Sequence, residues 1–182
     1  HCQYCYLAGS LSGPPITRVW ADLDEVLEGL DEYVGRGTIT SGTLERGGEG
    51  TTFEASCYTD PLAIEHLTGG LSRMVEHFGT HAWPGPVQLR ATTKFDDVAG
   101  LLDLPHGGRT RLRFSVNATA VDRRFEGATA KVPARLGALA AVAAAGYPVG
   151  VTIAPIMPVE GWREQYAELL DGIAAAVPAG HD

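Results

Sequence analysis

Apolar positions along the chain fall into two alternating rhythms. Leu23, Val26, Leu27, Leu30 and Val34 recur at helical spacing in "DLDEVLEGLDEYVGRG", which predicts a helix stopped at Gly35 or Gly37. Short β-rich runs bracket the helical ones. "ITRVW" (16–20) and "TFEASC" (52–57) read as strands, separated by a Gly/Thr-rich loop from about Thr38 to Thr51. A helix is expected from Pro61 to about Phe78, with Asp60 as its N-cap and Pro61 in its first turn. "PVQLRATT" is a third strand, "FDDVAGLLDL" a short helix, and "TRLRFSVN" a fourth strand. "AKVPARLGALAAVAAAG" predicts a helix ending at Gly146, "YPVGVTIAPIM" a fifth strand, and "GWREQYAELLDGIAAAV" a last helix. Repeated strand–helix units imply an α/β fold, a parallel sheet with helices outside.

The strands carry a second pattern. Side chains alternate along a strand, so Val87, Leu89 and Ala91 share one face and Gln88, Arg90, Thr92 and Lys94 the other. Leu112, Phe114 and Val116 likewise oppose Arg109, Arg111, Arg113, Ser115 and Asn117. A parallel sheet covered by helices on both faces reads as continuous apolar runs, and these strands do not. A barrel with helices outside and a polar, ligand-holding lumen fits the alternation; a sheet with one exposed face is the alternative.

Composition narrows the class. The 182 residues suffice for one sizeable core, so a single domain over 1–182 is expected. A formal charge of −8 argues against a broad basic surface for nucleic acid, though not against a local groove. No apolar run approaches the roughly 20 residues of a membrane span, so no membrane partner is expected. Three cysteines, Cys2, Cys5 and Cys57, cannot form a disulfide framework; a reduced, cytoplasmic protein is the expectation.

"CQYC" at residues 2–5 leaves several readings open. A zinc corner needs a second CxxC or a His pair, and the histidines are scattered without ligand spacing. A redox pair, or two incidental cysteines, also fit. A further reading is the second half of C-x3-C-x2-C, the spacing that holds three irons of a [4Fe-4S] cluster and leaves the fourth to chelate S-adenosylmethionine. Its first cysteine would lie three positions upstream of His1.

Longer blocks weigh on that choice. "HCQYCYL", "FEASCYTDPLAIEHLTG", "LRATTKF", "TRLRFSVN" and "RLGALAAVAAAGYPVGVTIAPIMPVEGW", in this order, resemble the spore photoproduct lyase family of radical S-adenosylmethionine enzymes. The resemblance implies a partial (β/α)6 TIM-like barrel, truncated at both ends in this chain, with the first strand and first cysteine upstream and lesion-gripping residues beyond Asp182. Cys2 and Cys5 match the second and third cluster ligands, soft thiolates suited to iron. Tyr4 and Tyr6 match tyrosines of a hydrogen-atom or electron relay, with packing around the cluster as the alternative. Cys57 matches the cysteine that returns a hydrogen atom to the thymine radical, with a buried structural thiol as the alternative. Thr59 matches a hydroxyl near the cofactor, Lys94 the lysine that meets the cofactor carboxylate, and Ser115 and Asn117 residues near its ribose and amino-acid portions. Ala154 matches a strand end beside the adenine. Arg111 and Arg113 could neutralise an anion or pair with acids in the lumen. Where the family often reads Cys-Thr-Ser-Asp, this chain has Cys57-Tyr58-Thr59-Asp60, and the bulkier Tyr58 could reshape the pocket.

The implied activity is a carbon–carbon lyase of DNA repair. A reduced [4Fe-4S] cluster and S-adenosylmethionine generate a 5′-deoxyadenosyl radical, which attacks 5-thyminyl-5,6-dihydrothymine and leads to two thymines. The implied partners are DNA carrying that lesion and an electron donor such as flavodoxin or ferredoxin. A related radical enzyme with another substrate, or a catalytically inactive barrel fragment, are the alternatives.

Overall fold

A computed structural model describes residues 2–5, 16–36 and 50–177. In chain order these form α1 (Leu23–Glu28), β1 (Thr51–Glu54), α2 (Glu65–Thr68), α3 (Gly70–Thr80), β2 (Val87–Thr93), β3 (Thr110–Val116), α4 (Thr119–Phe125), α5 (Val132–Ala144), β4 (Val149–Ile153) and α6 (Trp162–Ala176). The four strands make one parallel sheet in the order β1-β2-β3-β4. Parallel neighbours in strict sequence order, joined by α-helices after β1 and β3 and by a loop with one 3₁₀ turn after β2, are the arc of a (β/α) barrel.

Burial explains the strand alternation. Leu89, Ala91, Leu112, Phe114 and Val116 are at most 2% exposed and join Leu71, Val75 and Phe78 of α3 and Leu139 and Val142 of α5 in one core. Each of the larger of these side chains, Val, Leu or Phe, contributes about 1.5–3 kcal/mol by leaving water. The opposite face carries Arg90, Thr92, Arg111 and Arg113, all half-buried. There Arg113 Nε donates to Thr92 Oγ1 at 2.9 Å, its register partner on β2, and Arg90 pairs with Glu54 of β1. Gly150 of β4 leaves the space that the Arg111 and Arg113 stems occupy, 3.8 and 3.5 Å from where a Cβ would stand. The polar face predicted for a barrel lumen is thus present, built from cross-strand pairs.

Several expectations are corrected. Residues 16–20 form no strand; Ile16, Val19 and Trp20 are exposed, and nothing pairs their backbone into the sheet. The sheet therefore has four strands among the described residues, not five. The helix expected over 61–78 is divided. A 3₁₀ turn at Leu62–Ile64 leads into α2, Gly69 takes a left-handed conformation (φ 59°), and α3 begins anew. The break is stabilised by Glu65, whose carboxylate accepts the Leu71 and Ser72 amides at 2.7 and 3.0 Å. The helix expected at 95–104 shrinks to a 3₁₀ turn, Ala99–Leu101. The helix predicted from residue 22 is α1 plus a 3₁₀ turn over Gly29–Tyr33. Asp60 does cap as expected: its Oδ1 accepts the amides of Leu62 and Ala63 at 3.1 and 3.4 Å. Most of the 38–51 loop lies outside the described residues.

Candidate functional site

The sheet's C-terminal edge gathers the candidate residues, because each follows a strand by a few positions. Cys57 and Thr59 come three and five residues after β1, Lys94 directly after β2, Asn117 directly after β3, and Ala154 directly after β4. Ser115 is the penultimate residue of β3. In a parallel sheet this edge is where barrels place their chemistry, since the connecting loops are free to vary there.

Cys57 does not end a strand, as expected from the sequence. It sits on the bend after β1 and is exposed among the described residues. Its loop is nonetheless fixed. Thr59 N donates to Ser56 Oγ at 3.1 Å, and Asp60 Oδ2 accepts the amide of Lys94 at 2.7 Å. Asp60 therefore ties the Cys57 loop to the end of β2. Burial pushes the Asp60 carboxyl above the ordinary carboxylate range, against the pull of the amides it accepts. Tyr58, beside the thiol, is 70% exposed.

The cysteine turn lies over the end of α4. Cys5 N donates to Cys2 O at 3.1 Å, closing a tight turn, and Gln3 N donates to Phe125 O at 2.8 Å. Tyr4 points its hydroxyl at the Glu126 carboxylate. Lys94 Nζ donates to the Tyr4 hydroxyl at 2.6 Å and to Glu126 Oε1 at 2.5 Å, and its charge acts on the Cys2 thiol. Glu126 in turn receives Arg135 Nη2 on its other oxygen at 2.6 Å. Burial pulls the Lys94 ammonium below its ordinary pKa and pushes the Cys2 thiol up, while each group's charge opposes the shift of the other. Lys94 thus sits as a cation against a thiol.

Two half-buried thiols on one turn beside a cation are the donor set for two bonds to a soft metal such as iron. They fit two ligands of an iron–sulfur cluster. Among the described residues no group of three or more His, Cys, Asp or Glu stands ready to hold a metal, so no third donor accompanies them.

The other candidates separate from this cluster. Asn117 is fully buried and engaged by protein: its Nδ2 donates to Pro155 O at 2.9 Å, and its Oδ1 accepts Ala118 N at 2.9 Å and the Tyr166 hydroxyl at 2.6 Å. It thereby joins the ends of β3 and β4. Ser115 is buried, and its carbonyl accepts Arg135 Nη1 at 2.8 Å. Ala154 is exposed at the head of the loop that Asn117 holds. Tyr6 lies outside the described residues. Sequence reasoning missed α4 and the ion network of Asp122, Glu126 and Arg135 on and beside it. "TAVDRRFE" offered a signal: Val121 and Phe125 are four apart, as on one helix face.

The geometry agrees with known proteins. A family model described as "Spore photoproduct lyase" matches residues 1–182. The spore photoproduct lyase of Bacillus subtilis (strain 168) is 42% identical over 178 residues, 98% of this chain and 48% of that protein. That of Geobacillus sp. (strain Y412MC61) is 40% identical over 174 residues, 96% of this chain and 48% of its own length. A solved spore photoproduct lyase complexed with dinucleoside spore photoproduct superposes with a TM-score of 0.83 at 38% identity, over 100% of this chain and 50% of that one. A double mutant with bound AdoMet and dinucleoside spore photoproduct matches equally, with a TM-score of 0.83. The chain spans about half the length of the curated relatives it matches. Its parallel α/β arc, its cysteine turn and its sequence throughout place it in one lineage: the chain belongs to the spore photoproduct lyase family.

Proposed function

We propose that the protein containing this chain is a radical S-adenosylmethionine lyase that restores two thymines from 5-thyminyl-5,6-dihydrothymine in DNA. The observation that carries this is the exposed Cys57 thiol at the sheet edge that also presents Lys94 and Ala154. The chain bearing it is similar from end to end to lyases solved with dinucleoside spore photoproduct. When bound, a [4Fe-4S] cluster and S-adenosylmethionine supply the reducing electron and the initial hydrogen abstraction. Cys2 and Cys5 would hold two irons, and the Lys94 ammonium would meet the cofactor carboxylate as a point charge. Thr59, Ser115 and the Ala154 backbone would line the cofactor. Asn117 supports the reading from beneath, because its amide fixes the Pro155 carbonyl and so the wall that Ala154 forms.

Cys57 would give the hydrogen atom of its weak S–H bond to the thymine-centred radical left after the methylene bridge breaks. One C–H bond forms and a thiyl remains on Sγ. Tyr4 and Tyr6 would serve the relay that restores the thiol. Fixing the loop through Asp60 gives the thiol a defined approach to the base. The lesion would leave the stack to reach this edge, in a local groove, since the chain carries a formal charge of −8. Among the described residues no helix is long and apolar enough to cross a membrane; a cytoplasmic site of action, with flavodoxin or ferredoxin as electron donor, completes the proposal.

The test uses the full-length protein, reconstituted anaerobically and given dinucleoside spore photoproduct under reducing conditions. Wild type should release thymidine products and 5′-deoxyadenosine. Cys57→Ala should still cleave the cofactor but divert the product. An unchanged product distribution in Cys57→Ala refutes the donor role. Cofactor cleavage without any lesion repair by wild type points instead to another substrate, with Tyr58 the residue to examine.

A further inference from the structure

Glu126 has no place in the chemistry above, yet it is completely buried and connects most of the groups around the cysteine turn. Its Oε1 receives both the Tyr4 hydroxyl and the Lys94 ammonium. Its Oε2 receives Arg135 Nη2 at 2.6 Å. Arg135 is itself fully buried and is held on all sides: by Ala130 O and Ser115 O, each at 2.8 Å, by Thr129 Oγ1 at 2.6 Å, and by Asp122 Oδ1 at 3.2 Å. The adjacent Phe125 carbonyl accepts the Gln3 amide. The turn is therefore held through backbone at one residue and through side chains at the next.

The two carboxylates of this network differ in one respect. Asp122 meets Arg135 and, at 3.6 Å, the surface-facing Lys131. Glu126 meets Arg135 and also reaches across to Tyr4 and Lys94. A network that only filled the core would need the first arrangement alone. The buried Glu126 carboxylate also acts on the Cys2 thiol, offsetting the positive charges of Lys94 and Arg135 where water screens little.

We propose that Glu126 is a positioning residue for the cofactor site: anchored by Arg135, it sets the place of Lys94 and Tyr4 against the cysteine turn and supplies the negative charge behind it. This rests on the reading of Cys2, Cys5 and Lys94 as cluster and S-adenosylmethionine contacts. Loss of that charge should raise the potential of a cluster held on the turn, since potential follows the net charge nearby. Release of Lys94 should weaken S-adenosylmethionine.

The test compares full-length wild type, Glu126→Gln and Asp122→Asn, each with its cluster reconstituted. Three quantities are read: dissociation constant for S-adenosylmethionine by equilibrium dialysis, midpoint potential by a redox titration followed by electron paramagnetic resonance, and melting temperature. Glu126→Gln should bind S-adenosylmethionine about tenfold more weakly and shift the midpoint to more positive potential. Asp122→Asn should melt lower while its affinity stays within about twofold of wild type. Glu126→Gln matching wild type in both affinity and potential overturns the proposal, as does an equal shift in Asp122→Asn. Should Glu126→Gln fail to fold, Glu126→Asp keeps the charge but retracts it by one methylene; weakened affinity supports the positioning role, and wild-type affinity overturns it. Should wild type bind no S-adenosylmethionine, the cofactor reading fails on its own, and the potential shift alone decides the role of Glu126.

Discussion

Replacing Arg135 by Met tests the network from its centre. The side chain is 0% exposed and donates to three neutral oxygens and two carboxylates, Asp122 and Glu126. Met fills similar volume, so the cost is electrostatic rather than a cavity. Breaking a buried ion pair by removing one partner costs about 3–5 kcal/mol, because the remaining charge stays desolvated. Here each carboxylate keeps a second cation, Lys94 at 2.5 Å from Glu126 and Lys131 at 3.6 Å from Asp122. That argues for the lower end, about 3 kcal/mol. At about 2–4 °C per kcal/mol for a domain of this size, the melting temperature should fall by about 6–12 °C. Thermal unfolding followed by circular dichroism, with urea titration as a second measure, reads the change. Arg123→Met, on the exposed side of α4, is the control and should stay within about 0.5 kcal/mol. A fall of less than about 2 °C for Arg135→Met would show that the arginine neutralises nothing that matters to stability, and the reasoning about Glu126 would lose its anchor.

Other expectations follow from single contacts. Gly79→Ala should destabilise strongly, since its Cβ would stand 1.6 Å from Pro105 O, whereas Gly137→Ala, with nothing within 4 Å on the outer side of α5, should stabilise by about 0.5–1 kcal/mol; denaturant midpoints separate the two. Tyr147→Phe removes the hydroxyl that donates to Leu101 O at 2.5 Å in the core; Leu101 O keeps the Leu104 amide, so the cost should be about 0.5–1.5 kcal/mol, measured in the same way. The Tyr147 phenol, pushed up to about 12 by burial, should stay protonated in an absorbance titration well past pH 10. For Asp60, the folded carboxyl holds its proton more tightly than the unfolded one, with its ordinary value of 3.8. Folding then takes up a proton in the window just above that value. Wild type should therefore lose stability relative to Asp60→Asn as pH rises through it, and a wild type that gains stability relative to Asp60→Asn over that window would refute the assignment.

How much of this was legible in the sequence depends on the range of the interaction. Alternation in "VQLRATT" and "TRLRFSV" told which face of the sheet is apolar, because pleat geometry is local. Asp60 as a cap was legible for the same reason. The strand at 16–20 was misread because β-branched and aromatic residues with no partner make no ladder, and only tertiary pairing could decide that. The divided helix after Pro61 depended on Glu65 reaching forward six and seven residues to cap the next segment. At the site, the strand readings set Cys57, Lys94 and Ala154 at or near strand ends, and the structure has them just beyond β1, β2 and β4. They could not tell that Asn117 would be consumed by Pro155 and Tyr166, or that Lys94 would lie between a thiol and a buried carboxylate. Those facts belong to pairs far apart in the chain.

That distance has a consequence for how the molecule is made. The hydroxyl of Tyr4 meets its acceptor 122 residues later, and the Gln3 amide meets a carbonyl on the preceding residue. Synthesis runs from the N-terminus, so the cysteines emerge long before their seat exists. Until α4 and α5 have been threaded and Arg135 has drawn in Glu126, the turn lacks its Phe125 and Glu126 partners, and the loop to be closed is long. Metal delivered to the nascent chain would meet two loose thiols. Delivery after the third crossover is complete would meet an ordered pair beside a lysine. On the proposal that Cys2 and Cys5 hold a cluster, the order of events favours loading late, onto a finished sheet, after an interval in which the thiols stand open to oxidation.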